Sequence, residues 1–330
     1  MRPMKKNAYI ASTGIFLPEN IVTNEMLAKI VDTSDEWIQE RCGIKERRIL
    51  NEPGKATAYM ASLAAKNALE ESGIDKQSIG TIIVATATPD HQFPSTASIV
   101  SGLLNIRNAW CFDVMSACSG FLYALNAGAA IIESGRSDTV LVIGADKMSS
   151  IIDFDNRNTC VLFGDGAGAV LLKSTLTGEG IGESVLETDG SGYKNLFLKS
   201  GGSLFPASEI SIRNKEHFIF MNGQSVFKSA VASMVSCNEK LLKKTGLMKS
   251  DIDYLIPHQA NKRIIEAVID FFKISREKVA VNIQNYGNTT CASIPICLHE
   301  YKHRFKKGDK LVLCSFGAGY SWGSTLVTWN

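Results

Sequence analysis

The chain contains no Cys-x-x-Cys pair and no cysteine at zinc-ligand spacing from a histidine, although its 330 residues include eight cysteines and five histidines. Neither structural zinc nor disulfides are therefore expected. Cys42, Cys111, Cys118, Cys160, Cys237, Cys291, Cys297 and Cys314 sit mostly in apolar contexts such as Val312-Leu313-Cys314. Buried free thiols are the ordinary state of such residues in a long intracellular chain. No stretch reaches the roughly 18 uninterrupted apolar residues of a membrane span. The basic start Met1–Asn7 leads only into Ala8-Tyr9-Ile10, too short for a signal-peptide core. The chain reads as cytoplasmic, with no membrane partner. Neither sign of charge dominates: 35 Lys and Arg against 33 Asp and Glu leave a net charge of +2, which is no footprint for nucleic acid. Residues 240–310 are richer in Lys and Arg than the rest, as a local basic surface for an acidic partner or as a solvated helix face.

What is present is an alternation. Short apolar runs at Thr81–Ala85, Trp110–Val114, Thr139–Ile143, Ala167–Leu172, Tyr254–Ile256, Val279–Ile283, Lys310–Ser315 and Ser324–Trp329 read as strands. Helical patterns lie among them at Ala58–Glu71, Ser95–Leu104, Phe121–Ser134, Phe227–Lys244, Lys262–Phe272 and Thr290–His303, several of them stopped by glycine. Strands alternating with helices indicate an α/β fold with a mainly parallel sheet. The order of elements recurs. Strand, helix, strand, Cys118, helix, strand and a glycine-rich turn in the first half are matched by strand, helix, strand, Asn288, helix, strand and a glycine-rich turn in the second. The chain divides accordingly into halves 1–175 and 176–330. The repeat places Cys118 and Asn288 at equivalent strand-to-helix turns, with His258 just after strand Tyr254–Ile256. In open α/β sheets such turns beyond the strand C-termini gather ligands.

Each residue has an ordinary reading when taken alone. Cys118, in Ser116-Ala117-Cys118-Ser119-Gly120, can be a packed thiol at a helix start; His258 can be a satisfied core histidine; Asn288 can be a helix cap. Taken together they carry chemistry. A thiol at a helix N-terminus feels the positive end of the dipole, so its pKa is expected to fall. A neutral histidine N–H and an asparagine amide are both hydrogen-bond donors that bring no full charge to a site.

Six segments carry a resemblance over nearly the whole chain: Asp35-Glu36-Trp37-Ile38 with Arg41 and Gly43; Ala117-Cys118-Ser119-Gly120-Phe121; Phe163-Gly164-Asp165-Gly166-Ala167-Gly168; Pro257-His258-Gln259-Ala260-Asn261; Tyr286-Gly287-Asn288-Thr289; and Phe316-Gly317-Ala318-Gly319 with Trp322. In this order they resemble the β-ketoacyl-acyl-carrier-protein synthase III family. The resemblance implies a thiolase-like fold, with two duplicated halves in five αβαβα layers, and a homodimer. It implies an acyltransferase that loads a short acyl group from acyl-CoA onto Cys118. That group is then condensed with malonyl-acyl-carrier protein, using His258 and Asn288, to begin fatty acid synthesis. It places an oxyanion hole at the backbone N–H groups of Cys118 and Ala318, where Ala318 replaces a glycine seen in some relatives. It assigns CoA contacts to Trp37, Arg41, Arg157, Lys228 and Asn261, carrier-protein docking to Arg263 and Lys262, and the acyl pocket to Phe93, Met148 and Phe163. Met115 and Gln224 depart from the usual pattern. No cofactor is implied, because the CoA thioester is a substrate. Two other readings remain: a relative in secondary metabolism that transfers or condenses acyl groups with the same residues, and a catalytically silent acyl- or carrier-binding scaffold.

Overall fold

Nine strands build two sheets in the computed structural model, which describes residues 6–330; the basic start at 1–5 lies outside them. The first sheet contains β1 (Asn7–Phe16), β2 (Thr81–Ala85), β3 (Trp110–Val114), β4 (Thr139–Asp146) and β5 (Gly166–Thr175). Their order is β1-β5-β4-β2-β3, with β2 parallel to β4 and β3 and the other pairings antiparallel. The second sheet contains β6 (Gly180–Thr188), β7 (Tyr254–Pro257), β8 (Lys310–Gly317) and β9 (Ser321–Thr328), in the order β6-β9-β8-β7. Here β7 and β8 are parallel and the remaining pairs antiparallel. Apart from β3, this repeats the first sheet strand for strand and direction for direction.

The counterpart of β3 is missing as a strand. The predicted run Val279–Ile283 makes one parallel bridge, Leu255 with Val279, and then turns into the short helix Ile283–Tyr286. The cause is local. The Gln259 side-chain oxygen accepts from the N–H groups of Asn282 (3.0 Å) and Ile283 (3.2 Å), which a strand would have given to its ladder.

Helices fill three layers. They are α1 (Asp35–Cys42), α2 (Thr57–Ser72), α3 (Thr96–Leu104), α4 (Gly120–Glu133), α5 (Gly223–Thr245), α6 (Lys262–Phe272) and α7 (Ser293–Tyr301). Strand periodicity sorts the side chains among the layers. Ile82, Val84, Leu141 and Ile143 pack outward on the alanine face of α2 and on α3. Their neighbours Ile83, Val140 and Val142 pack inward on Phe121 and Leu125 of α4 and Ile294 and Leu298 of α7. The same central helices receive Ile256, Leu311 and Leu313 from the second sheet, whose other face, with Leu255, Val312 and Cys314, is covered by α5 and α6. Strands buried on both faces read as continuous apolar runs, and that is why the sequence shows them so clearly. The result is the five-layered αβαβα arrangement. Short two-stranded antiparallel ribbons, Ile21–Thr23 with Glu46–Arg48 and Leu196–Leu198 with Ile219–Met221, decorate it.

Candidate active site

Strand β3 ends at Val114, and the chain reaches α4 through a single 3-10 turn over Ala117–Ser119. Ala117 is held in the left-handed region at φ 42°, an uncommon conformation for a residue with a side chain. This turn carries Cys118 at the foot of a cavity of about 520 Å³. His258 enters the same cavity from the end of β7, where its N–H donates to the Cys314 carbonyl (2.8 Å) and prolongs the pairing of β7 with β8. Asn288 enters from the loop after helix Ile283–Tyr286. That loop is tied to the first half: the Asn288 N–H donates to the Leu162 carbonyl (2.8 Å), and the Gly164 N–H donates to the Asn288 carbonyl (3.1 Å). Three residues far apart in sequence therefore line one wall.

The repeat is shifted from the expected pairing. The second half has its own 3-10 turn at Thr290–Ala292, with Thr290 at φ 51°, leading into α7 at Ser293. The structural counterpart of Cys118 is thus Cys291, and Asn288 stands three residues earlier. The helix predicted over Thr290–His303 is divided for the same reason, into this turn, α7 and a closing 3-10 turn at Lys302–Arg304.

Burial decides the protonation of the site. The Cys118 thiol is pushed up to about 12, first by desolvation and then by the nearby Asp146 carboxylate; its own N–H and the Asn288 amide pull the other way. This corrects the expectation of a lowered thiol pKa. The helix-start field is present, but in an enclosed apolar site the loss of water outweighs it. His258, 1 % exposed, is pushed down to about 3 by burial and is neutral. Its Nδ1 lies 2.6 Å from the Ser293 hydroxyl, while Nε2 is buried with no partner among the described residues. The Asn288 side-chain oxygen accepts from the Thr290 N–H (2.9 Å). That fixes the amide so that its NH₂ faces the Cys118 thiol.

The glycine-rich turn after β8 closes against Cys118. A Cβ on Gly317 would lie 2.8 Å from the Cys118 nitrogen, so only a residue without a side chain allows this approach. Ala318 lines the cavity beside it. Hydroxyls bind the two turns together. Ser119 Oγ lies 2.6 Å from Ser321 Oγ, Ser116 Oγ donates to Ser321 Oγ (3.0 Å), and Ser321 Oγ also reaches the Ala318 carbonyl (3.1 Å).

Trp37 lies on α1, half-buried, with the guanidinium groups of Arg41 and Arg157 at 5.2 and 5.0 Å from its ring centre; none of the three lines the cavity itself. Arg157 is anchored on Asp32 through its carbonyl (2.7 Å) and carboxylate (3.2 Å). Asn261 caps α6 by accepting from the Arg263 N–H (2.8 Å), donates to the Arg41 carbonyl (3.1 Å) and lines the cavity. Arg263 and Lys262 are exposed on the first turn of α6, and Arg263 lies over Phe227, a lining residue. Lys228 is exposed on α5 and does not line the cavity.

Met148 and Phe163 line the inner end. Phe93 does not: its loop carries it out to the surface, where the residue is 86 % exposed, so within this chain the cavity wall is closed by other groups. Met115 lines the opening although it is 72 % exposed. Sequence reasoning missed the wall made by the paired strands Leu196–Leu198 and Ile219–Met221, whose three residues each are too short to show a period. It also missed Asp146 and Ser293; a carboxylate ending a fully apolar strand was the available signal for the first. Among the described residues, no group of three or more His, Cys, Asp or Glu side chains is placed to hold a metal ion, and no helix is long and apolar enough to cross a membrane.

Comparison with known proteins supports the reading of these motifs. Residues 112–190 match the family described as 3-oxoacyl-[acyl-carrier-protein (ACP)] synthase III, and residues 242–329 match its C-terminal part. The β-ketoacyl-[acyl-carrier-protein] synthase III of Chlorobaculum tepidum is 50 % identical over 98 % of this chain and 99 % of its own length. The crystal structure of the 3-oxoacyl-[acyl-carrier-protein] synthase III of Aquifex aeolicus superposes with a TM-score of 0.89 at 43 % identity, covering 98 % of this chain and all of that one. The priming β-ketosynthase of the R1128 polyketide pathway superposes with a TM-score of 0.91 at 30 % identity, covering 100 % of this chain and 98 % of that one. With near-complete coverage on both sides and identity this high, the chain belongs to the β-ketoacyl-acyl-carrier-protein synthase III family of thiolase-fold condensing enzymes.

Proposed function

We propose that the chain catalyses the first condensation of fatty acid synthesis, joining a short acyl group from acyl-CoA to malonyl-acyl-carrier protein. The observation that carries this is the convergence of Cys118, His258 and Asn288 on one apolar cavity, with the unpartnered His258 Nε2 and the Asn288 NH₂ both turned into it. In the first half-reaction the Cys118 sulfur attacks the thioester carbonyl, the thiol proton leaves with the CoA sulfur, and the acyl group remains on Cys118. The N–H groups of Cys118 and Ala318 receive the oxyanion, and one such donor is worth about 2.7–4 kcal/mol of barrier. In the second, the malonyl thioester loses CO₂ and its carbonyl oxygen becomes an enolate oxygen. His258 and Asn288 donate to that oxygen without bringing a full charge into the cavity. The enolate carbon attacks the acyl carbonyl, the β-ketoacyl product leaves on the carrier protein, and the Cys118 thiolate takes a proton from solvent. Because the resting thiol is neutral, deprotonation belongs to the acyl-transfer step itself.

Trp37 with Arg41 and Arg157 suits the adenine and phosphates of CoA, since a flat ring stacks and guanidiniums pair with phosphate. Asn261 stands on the path inward. Arg263 and Lys262, exposed beside that mouth, suit an acidic carrier protein; Lys228, exposed and off the cavity, belongs to the same rim. A homodimer accounts for the apolar surface around β3, the edge strand of its sheet: Trp110, Met115, Phe93 and Leu204 are 48, 72, 86 and 80 % exposed. The eight free cysteines fit a cytoplasmic protein.

The test is intact-protein mass spectrometry after incubation with a panel of acyl-CoAs, followed by malonyl-acyl-carrier protein. An adduct on Cys118 that disappears as β-ketoacyl-carrier protein forms is expected, and the acyl-CoA that gives it identifies the primer. An adduct that persists, or leaves only to an oxygen or nitrogen nucleophile, would instead assign the chain to specialised acyl transfer. The likeness to the R1128 priming synthase keeps that outcome within the same fold.

A further inference from the structure

The His258 ring is a hydrogen-bond donor toward the cavity only if its proton sits on Nε2, and the residues around it decide which nitrogen carries that proton. Nδ1 lies 2.6 Å from Ser293 Oγ. Ser293 is 2 % exposed, at the first position of α7, and this contact is the one hydrogen bond found for its hydroxyl among the described residues. Two arrangements are possible. If Nδ1–H donated to Ser293, the serine proton would be buried without an acceptor, and the Nε2 lone pair, which has no partner, would be left without a donor. If Ser293 donates to Nδ1, the serine is satisfied and the single group left over is an Nε2–H in the cavity, where a substrate oxygen can accept it. Two orphaned buried groups against one decides between them.

We infer that Ser293 is a positioning residue whose hydroxyl locks His258 in the Nε2–H form, making it a standing donor to the enolate oxygen and not a base toward the Cys118 thiol. Ser293 touches no substrate and acts through the ring. That Ser293 acts through the ring follows from its place behind His258, off the cavity lining; the inference rests on the condensing-enzyme reading for its consequence in catalysis, but the proton position itself does not depend on any activity.

Two measurements test it. The first is long-range ¹H–¹⁵N correlation of the ring nitrogens in histidine-labelled protein, with His258 assigned by its absence in His258→Asn. A protonated Nε2 and a bare Nδ1 are expected; a protonated Nδ1 overturns the inference, whether or not the protein turns over. The second compares half-reactions in Ser293→Ala and Ser293→Thr. Malonyl decarboxylation in Ser293→Ala is expected to fall about three- to tenfold, the worth of one buried hydrogen bond, with a smaller loss in acylation of Cys118. Ser293→Thr, which keeps the hydroxyl, is expected to recover most of the rate. Equal losses in both half-reactions, or no loss in decarboxylation, would overturn the positioning role. If wild type neither acylates nor decarboxylates while the ring shows Nε2–H, the condensing reading fails and the tautomer assignment stands.

Discussion

Replacing Gly317 by alanine should cripple acyl transfer while leaving malonyl decarboxylation largely intact. The new methyl group would sit 2.8 Å from the Cys118 nitrogen, 3.0 Å from the Ser119 nitrogen and 3.3 Å from the Cys118 Cα. All of these are backbone atoms of the nucleophile turn and cannot swing aside. Relief to an ordinary 3.4 Å contact needs the two turns to part by 0.6 Å, the difference between 3.4 and 2.8 Å. They resist parting because the Ser116, Ser119 and Ser321 hydroxyls tie them, so the strain is shared and the Ala318 N–H moves off the oxyanion position. Overpacking of this kind costs about 1–3 kcal/mol of stability. A displacement approaching 1 Å in a reacting geometry costs up to about 100-fold in rate. The expected loss in acylation is therefore roughly 10- to 100-fold, read by rapid-quench mass spectrometry of the Cys118 adduct. Decarboxylation of malonyl-carrier protein, which draws on His258 and Asn288, should change about threefold or less. Acylation at the wild-type rate, or a parallel collapse of decarboxylation, would refute the placement of the oxyanion site at this junction.

Cys118→Ser should carry no acyl adduct by mass spectrometry after incubation with any acyl-CoA, even though Cys291 lies nearby. His258→Ala and Asn288→Ala should still acylate Cys118 but lose decarboxylation by roughly 100-fold, the worth of an oxyanion-type donor; the reverse pattern would exchange the assigned roles. Because the folded pKa of His258 lies about 3, the neutral ring persists as pH falls through about 6.5. Decarboxylation should show no acid limb in that range, and an inflection there that vanishes in His258→Asn would contradict the buried, neutral ring. The same residue makes stability decline as pH drops from about 6.5 toward 3, since the unfolded chain takes up a proton that the folded one refuses. Trp37→Ala should raise KM for acyl-CoA about tenfold, the scale of one base–aromatic stack, with little change for an acyl thioester lacking the nucleotide.

How much of this was legible in the sequence depended on where burial comes from. Strands β2 and β3 and helix α6 have the bounds read from the sequence, Thr81–Ala85, Trp110–Val114 and Lys262–Phe272, because apolar runs flanked by turn residues carry their own signal. Strands β1 and β6, which open the two halves, escaped. β1 contains Ser12, Thr13 and Gly14, and β6 contains Glu183 and Ser184; they become strands by pairing with β5 and β9, not by local pattern. The same distinction holds in the site. Cys118, His258 and Asn288 could be picked out by motif and all line the cavity. The direction of the Cys118 shift could not, because the desolvation that raises it is supplied by walls drawn from both halves. Phe93 was assigned to the pocket by its place in the pattern, and only the path of its loop shows that it faces outward.

The repeat also gives a structural reason for Cys118, and not its symmetry-related Cys291, to be the proposed nucleophile. Each half makes a left-handed residue, a 3-10 turn with a cysteine at its centre, and a helix: Ala117, Cys118 and α4 in one, Thr290, Cys291 and α7 in the other. Each turn faces the last residue of the matching strand in the opposite half. At Cys291 that residue is Asp146, whose carboxylate accepts the Cys291 N–H (2.9 Å), while the Cys291 thiol donates to the Ala117 carbonyl (2.9 Å). Both of its polar groups are spent on structure. At Cys118 the corresponding residue is Gly317, which has no side chain to occupy the donor. The same backbone motif thus has a capped N–H where the facing strand ends in a carboxylate and an uncapped one where it ends in glycine, which is what the proposed oxyanion site at Cys118 requires. Asp146 contributes to both: it accepts the Cys291 N–H and adds to the larger effect of desolvation in holding the Cys118 thiol above its ordinary pKa. The second turn instead holds the other two site residues, its Thr290 N–H bonding the Asn288 side-chain oxygen and its following Ser293 meeting His258.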